Sequence, residues 1–200
     1  MFLFAGLGNP GKNYAVNRHN VGFMALNMLS DLHDFPAWQK TAASMQTTGQ
    51  IDHRKIILVK PQSYMNKSGL PVAEVARFHN IPVNHIFVFH DELDLAAGRV
   101  RVKRGGGHGG HNGLRDIDRH LGQNYWRIRI GIGRPDNPNI DVKSWVLADF
   151  AKAETSGWLP DLLRAISEEA PRLTAHDDAG FMSRVAFLAP PPKPSHNEKQ

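Results

Sequence analysis

Ile86-Phe-Val-Phe-His90-Asp-Glu-Leu-Asp94 sets the frame for the rest of the chain. Its first residues form an apolar run without polar alternation, which predicts a central strand buried on both faces. Such a strand delivers Asp91, Glu92 and Asp94 at its carboxyl end, the edge of an open α/β sheet where ligands usually bind. Phe2 to Ala5 is a second short apolar run and reads as another buried strand, running into the turn Gly6-Leu-Gly-Asn-Pro-Gly11. Met45 to Gln50 and Ile56 to Lys60 read as strands around Asp52-His53-Arg54.

Between the strands the period changes from two to near four. Val21, Met24, Ala25, Met28, Leu29 and Leu32 mark an amphipathic helix with Asn20 as its N-cap, which puts His19 at the helix's N-terminal edge. A helix is expected from about Pro71 to just before Ile81-Pro82, a short one over Leu114, Ile117 and Leu121, a longer one from Leu159 to Leu173, and a last one from Phe181 to Leu188. Trp145 to Phe150 fits either strand or turn. Arg99-Val-Arg-Val-Lys103 alternates strictly and has no helix before it, so the sheet is expected to be mixed. These elements predict a single α/β domain over residues 1–189, a twisted mixed β-sheet flanked by helices, followed by a Pro-rich tail over 190–200 expected to be disordered.

Composition narrows the class. With 200 residues, 41% hydrophobic and 22% charged, the chain can bury one sizeable core. The absence of cysteine excludes disulfides and thiol catalysis and fits a cytoplasmic setting. No apolar run approaches a membrane span of roughly 18 residues, and no charged signal-peptide head is evident. The formal charge is +5, but between Arg99 and Arg129 eight cations face only Asp116 and Asp118. A polyanionic partner is therefore expected at that region, where Arg127 and Arg129 form a second alternating basic stripe.

Inside this basic region lies Gly105-Gly-Gly-His-Gly-Gly-His-Asn-Gly113. Glycines at this density let a backbone approach a ligand closely, and His108, His111 and Asn112 are groups a plain linker does not need. His108 and His111 do not make a convincing metal pair, since the chain has no cysteine and no H-E-x-x-H motif. A phosphate loop is disfavoured because no Gly-Lys-Ser/Thr follows the glycines. Gly6 to Gly11 has the G-x-G-x-x-G spacing of dinucleotide folds, yet Pro10, Lys12, Asn13 and Tyr14 separate it from the helix, which weakens an oxidoreductase reading. A non-catalytic RNA-binding module would explain the cations but leave the histidines, Asp91 and the asparagines idle. Asn9, His19-Asn20, Met65-Asn66, Asp91 and His111-Asn112 all stand at strand or helix ends and are expected to converge at one sheet edge.

Gly6-Leu-Gly-Asn-Pro-Gly11, Tyr14, Arg18-His-Asn20, Tyr64-Met-Asn-Lys-Ser-Gly69, His90-Asp-Glu-Leu-Asp94, Gly105 to Gly113 and Arg129-Ile-Gly-Ile-Gly-Arg-Pro135 together resemble bacterial peptidyl-tRNA hydrolases, from residue 2 to about residue 188. The resemblance implies a monomeric esterase, needing no metal or other cofactor, that releases a peptide from the 3′ ribose of tRNA. It implies His19 as general base and Asp91 as its orienting partner. Asn9 and Asn112 would serve the reacting ester, while Tyr14, Met65, Asn66, His111 and Asn112 would contact the substrate. Lys103 and Arg129 would clamp the tRNA 5′ phosphate, with the acceptor stem, the 3′ CCA end and the attached peptide as the recognised parts. Asn17, where threonine is common, and Arg104 depart from the family pattern without touching these positions.

Overall fold

A computed structural model describes residues 1–193. Seven strands form one sheet: β1 (Phe2–Gly6), β2 (Gln39–Lys40), β3 (Ser44–Ile51), β4 (Arg54–Pro61), β5 (Ile86–Glu92), β6 (Val100–Arg104) and β7 (Trp126–Gly131). Their order is β2-β3-β4-β1-β5-β7-β6. The inner four, β4, β1, β5 and β7, are parallel, while β3 joins β4 and β6 joins β7 antiparallel. The expected mixed sheet is present, with β5 between β1 and β7 as its apolar run required.

The parallel strands alternate their side chains between two cores. Phe2 and Phe4 of β1 and Phe87 and Phe89 of β5 face one layer with Val21, Leu29 and Ile166. Leu3, Ala5 and Val88 face the other with Val72, Leu114 and Ile117. The first layer holds α1 (Val21–Leu32), α6 (Trp158–Glu168) and α8 (Asp178–Leu188), and the second holds α2 (Gly69–Phe78) and α3 (Asn112–Leu121). From β1 the chain returns through α1 toward β4, and from β4 it crosses through α2 to β5 on the opposite side of β1. The direction of winding therefore reverses between β1 and β5, and a crevice opens there at the strands' carboxyl ends.

The glycines after β1 act in packing. A Cβ on Gly6 would overlap the Gly22 carbonyl oxygen, and one on Gly22 would overlap Phe89 O and the Leu7 amide. Helix α1 thus lies backbone against backbone on β1 and β5, which sets His19 one turn away from the end of β5.

Several expected boundaries shift. The helix expected from Pro71 begins at Gly69, whose amide donates to Asp116 Oδ2 at 2.7 Å, a cap supplied from α3 and invisible in local sequence. The helix expected over Leu159–Leu173 is two, α6 and α7 (Ala170–Thr174), because Pro171 can occupy only the first turn of a new helix. A short α5 (Lys152–Thr155) precedes them. Trp145 lies in α4 (Val142–Leu147), capped by Asp141 Oδ1 accepting from Ser144 N at 3.0 Å, and only Asp149 makes an isolated bridge, to Asn17. Of the tail expected to be disordered, Pro191 and Pro192 lie against Gly98, and residues 194–200 are outside the described residues.

Candidate active site

The site is assembled from loops that leave the carboxyl ends of β1, β4 and β5, with the N-terminus of α3 closing over them. Asn9, His19, Met65, Asn66, Asp91, His111 and Asn112 all border one cleft of about 590 Å³. Tyr14, expected as a wall of this cleft, does not border it, and Tyr64 does.

Asp91 is the hub. Its Oδ1 accepts from His19 Nδ1 at 2.8 Å and from His111 Nε2 at 3.0 Å, and its side chain is 3% exposed. Burial alone would raise its pKa, but His19 and His111 hold the carboxyl far below the usual carboxylate range. Asp91 is therefore ionised and purely an acceptor.

The three histidines around it are not equivalent. His111 Nδ1 accepts from Gly113 N at 3.1 Å and Leu114 N at 3.3 Å, capping α3, so its proton resides on Nε2 and points to Asp91. Both of its nitrogens are occupied. His90 is fully buried and donates from Nδ1 to the Asp91 carbonyl at 2.8 Å; burial, then His111, push its pKa down to about 3, so it stays neutral. His19 donates from Nδ1 to Asp91, and its Nε2, facing the cleft side, has no hydrogen bond among the described residues. One unprotonated ring nitrogen is thus left available for a reactant.

His19, Asp91 and His111 also place three ligand-type atoms within 4.8 Å of one another. The donor set does not suit a cation: both histidines aim protons at the same carboxylate oxygen, and the other nitrogen of His111 is needed by α3.

Asn9 is fixed on three sides. Its amide donates to Asn20 Oδ1 at 2.9 Å, its carbonyl accepts from Asn20 Nδ2 at 2.9 Å, and its Oδ1 accepts from Met65 N at 2.8 Å. With the oxygen committed, the Nδ2 donors remain for a ligand. Asn20 occupies the expected cap position of α1 but makes no capping bond, because its side chain is spent on Asn9. Met65 is 5% exposed and belongs to the second core while bordering the cleft. Asn66 and Asn112 are exposed at its mouth.

The opposite wall comes from α4 through Val142, Lys143, Val146 and Leu147, a contribution the sequence reading did not find. Arg18 fastens this wall to the His19 turn: its guanidinium lies 3.9 Å over the Trp145 ring, donates to Asp149 O at 2.5 Å and pairs with Glu154 at 2.7 Å. Asn17 adds a bond to Asp149 Oδ1 at 2.5 Å.

The basic strands need one correction. Lys103 and Arg101 are exposed on β6, and Arg129 faces the same side of β7, where its Nε donates to Glu92 Oε2 at 2.9 Å. Arg127, read as part of a basic stripe in a region expected to meet a polyanion, is 2% exposed and paired with Asp118 at 3.0 Å. Alternation assigned it the right face of the strand, but α3 and the first glycines of the loop cover that position.

The peptidyl-tRNA hydrolase family model matches residues 3–194. A peptidyl-tRNA hydrolase from Rhodospirillum centenum is 51% identical over 96% of this chain and 84% of its own length, and one from Ruegeria pomeroyi is 50% identical over 98% and 81%. The crystal structure of peptidyl-tRNA hydrolase from Acinetobacter baumannii superposes with a TM-score of 0.86 at 35% identity, covering 95% of this chain and 96% of that one. On these matches the chain belongs to the peptidyl-tRNA hydrolase family.

Proposed function

We propose that the chain hydrolyses the ester joining a peptide, or an N-blocked aminoacyl group, to the 3′ ribose of tRNA, with His19 as general base. The observation that carries this reading is the division of labour around Asp91: His111 has both ring nitrogens engaged, the unpaired Nε2 of His90 is sealed in the interior, and His19 alone of the three has an unpaired ring nitrogen that is not buried. Residues 1–189 form the catalytic domain.

In this reading a water bound in the cleft gives its proton to His19 Nε2 as its oxygen attacks the ester carbonyl carbon. The imidazolium that forms is stabilised by ionised Asp91 at 2.8 Å, and His111 holds that carboxylate in place from the other side. Negative charge developing on the carbonyl oxygen is met by the amide donors of Asn9 and Asn112. When the tetrahedral intermediate collapses, the ribose 3′ oxygen leaves with the proton carried by His19. The products are the free peptide acid and the tRNA 3′ hydroxyl, so atoms balance with water as the only co-reactant. Met65 and Asn66 contact the peptide side of the substrate, and Lys103 and Arg129 hold the 5′ phosphate at the end of the acceptor stem. Arg129 meets a phosphate only in competition with Glu92, which makes Lys103 the stronger member of that clamp. The protein acts as a monomer in the cytoplasm.

The test is release of an N-blocked amino acid from tRNA by wild type and by His19→Ala, with EDTA present throughout. Rapid release by wild type alone supports the reading. Binding of tRNA with no release by either protein would instead favour a non-catalytic RNA-binding role.

A further inference from the structure

The glycine loop is poorly supported along its middle. A Cβ added to Gly107, Gly109 or Gly110 would meet nothing within 4 Å. The bonds in that stretch are internal to the loop, Gly110 N donating to His108 Nδ1 at 3.1 Å and His111 N to His108 O at 2.9 Å, so its attachment to the rest of the domain is set at its two ends. At the far end His111 is held by Asp91 and by the first amides of α3. At the near end the Gly105 amide donates to Tyr125 O at 3.0 Å and the Gly105 carbonyl accepts from Arg127 Nη1.

Arg127 also reaches α3. Its Nη2 donates to Asp118 Oδ1 at 3.0 Å and to the Tyr125 hydroxyl at 3.1 Å, and that hydroxyl donates to the same Asp118 oxygen at 2.7 Å. Asn112 is the first residue of the helix that carries Asp118. One buried guanidinium thus ties the start of the loop to the helix that ends it. On the other side Arg127 stands opposite Lys103 in the β6–β7 register. The Lys103 ammonium folds against Gly106, where a Cβ would lie 2.9 Å from Nζ and 3.3 Å from Arg127 Nη1. At 2% exposure Arg127 cannot itself touch RNA.

We propose that Arg127, held by Asp118 and Tyr125, is a positioning residue that fixes the separation between Lys103 and the Asn112 end of the glycine loop. It thereby lets one tRNA engage its 5′ phosphate and its 3′ ester at once. The inference rests on the reading of Lys103 as a phosphate contact and of Asn112 as an ester contact. A buried ion pair is weak evidence of added stability, and its better attested use is to specify one geometry.

The experiment compares kcat/KM for one N-blocked aminoacyl-tRNA with and without its 5′ phosphate, in wild type, Lys103→Ala, Arg127→Gln and the milder Tyr125→Phe. Wild type is expected to favour the phosphorylated substrate by about tenfold or more, the worth of a charge-assisted contact. Lys103→Ala should lose that advantage. Arg127→Gln should lose it too although Lys103 is intact, and Tyr125→Phe should reduce it about threefold through the lost hydroxyl bonds. A merely structural Arg127 would lower the folded fraction, slow both substrates equally and leave the ratio unchanged, which would overturn the proposal. Should Arg127→Gln fail to fold, an unchanged ratio in Tyr125→Phe overturns it instead. An advantage absent in wild type, or kept by Lys103→Ala, would sink the phosphate-clamp reading and this inference with it. Retention only in the Arg127 and Tyr125 variants would sink the inference alone.

Discussion

Replacing Asp91 by asparagine removes one negative charge and little else. The amide is close in size to the carboxylate, and its oxygen can still accept from His19 or His111. What is lost is the attraction between the carboxylate and the imidazolium present only after His19 has taken the proton. With Oδ1 at 2.8 Å from Nδ1, the charge centres lie about 4 Å apart, where opposite unit charges at an effective dielectric near 20 attract by about 4 kcal/mol. Both side chains are at least nine-tenths buried, so solvent screens little of this. Each 1.4 kcal/mol is worth about tenfold in rate, so the chemical step should slow by about a thousandfold. Single-turnover release of an N-blocked amino acid from tRNA, with enzyme in saturating excess, isolates that step from binding. The thermal midpoint and the affinity for deacylated tRNA serve as controls. An Asp91→Asn protein that folds, binds tRNA normally and keeps its single-turnover rate within tenfold of wild type would refute the role given to the carboxylate.

Three other outcomes are expected. His19→Ala should abolish nearly all turnover while leaving the thermal midpoint and tRNA affinity largely intact; retention of substantial turnover removes His19 from the base role. Lys103→Ala and Arg129→Ala should raise KM and each soften the salt dependence of binding by a slope of about one, with the smaller effect at Arg129 because Glu92 already holds it; unchanged slopes exclude both from the clamp. His90 sits near 3 when folded, against about 6.5 unfolded. Between those values the unfolded chain binds more protons, so stability falls as pH falls from 6.5 to 3, by on the order of 5 kcal/mol in total. Asp91, whose folded value is depressed, holds its contribution above about 4 and loses it below. Urea unfolding across this range should show a flatter profile for His90→Asn, and an unaltered slope would show that His90 is not the buried neutral group.

How much of this could be read from the chain depends on the range of the signal. The Ile86–Phe89 run and the Arg99–Lys103 alternation report burial of consecutive residues, so the central strand and the antiparallel edge strand were both legible. The residues gathered around Asp91 were legible as a set because each sits at an element's end. What each histidine does was not, since it depends on which nitrogens are already taken, and the amides of Gly113 and Leu114 that occupy His111 become available only once α3 forms. Arg127 was misread for a related reason: alternation gives a face but not what lies over it. The α4 wall escaped because six residues are too few for a helical period to stand out, although Asp141 ahead of Ser144 was a usable capping signal. Tyr14 follows the right motif yet borders no part of the cleft, since the one-turn helix Lys12–Tyr14 places it elsewhere.

The two margins of the sheet carry a consequence of their own. A strand at a margin presents unpaired amides and carbonyls, a template on which another chain can assemble. One margin, β2, is only two residues long, and the other, β6, carries Arg101, Lys103 and Arg104. Two copies approaching along β6 would bring like charges face to face. Lys103, proposed to hold the tRNA phosphate, would on this account act with Arg101 and Arg104 to keep the protein from recruiting itself, so a variant stripped of all three should lose colloidal stability together with substrate.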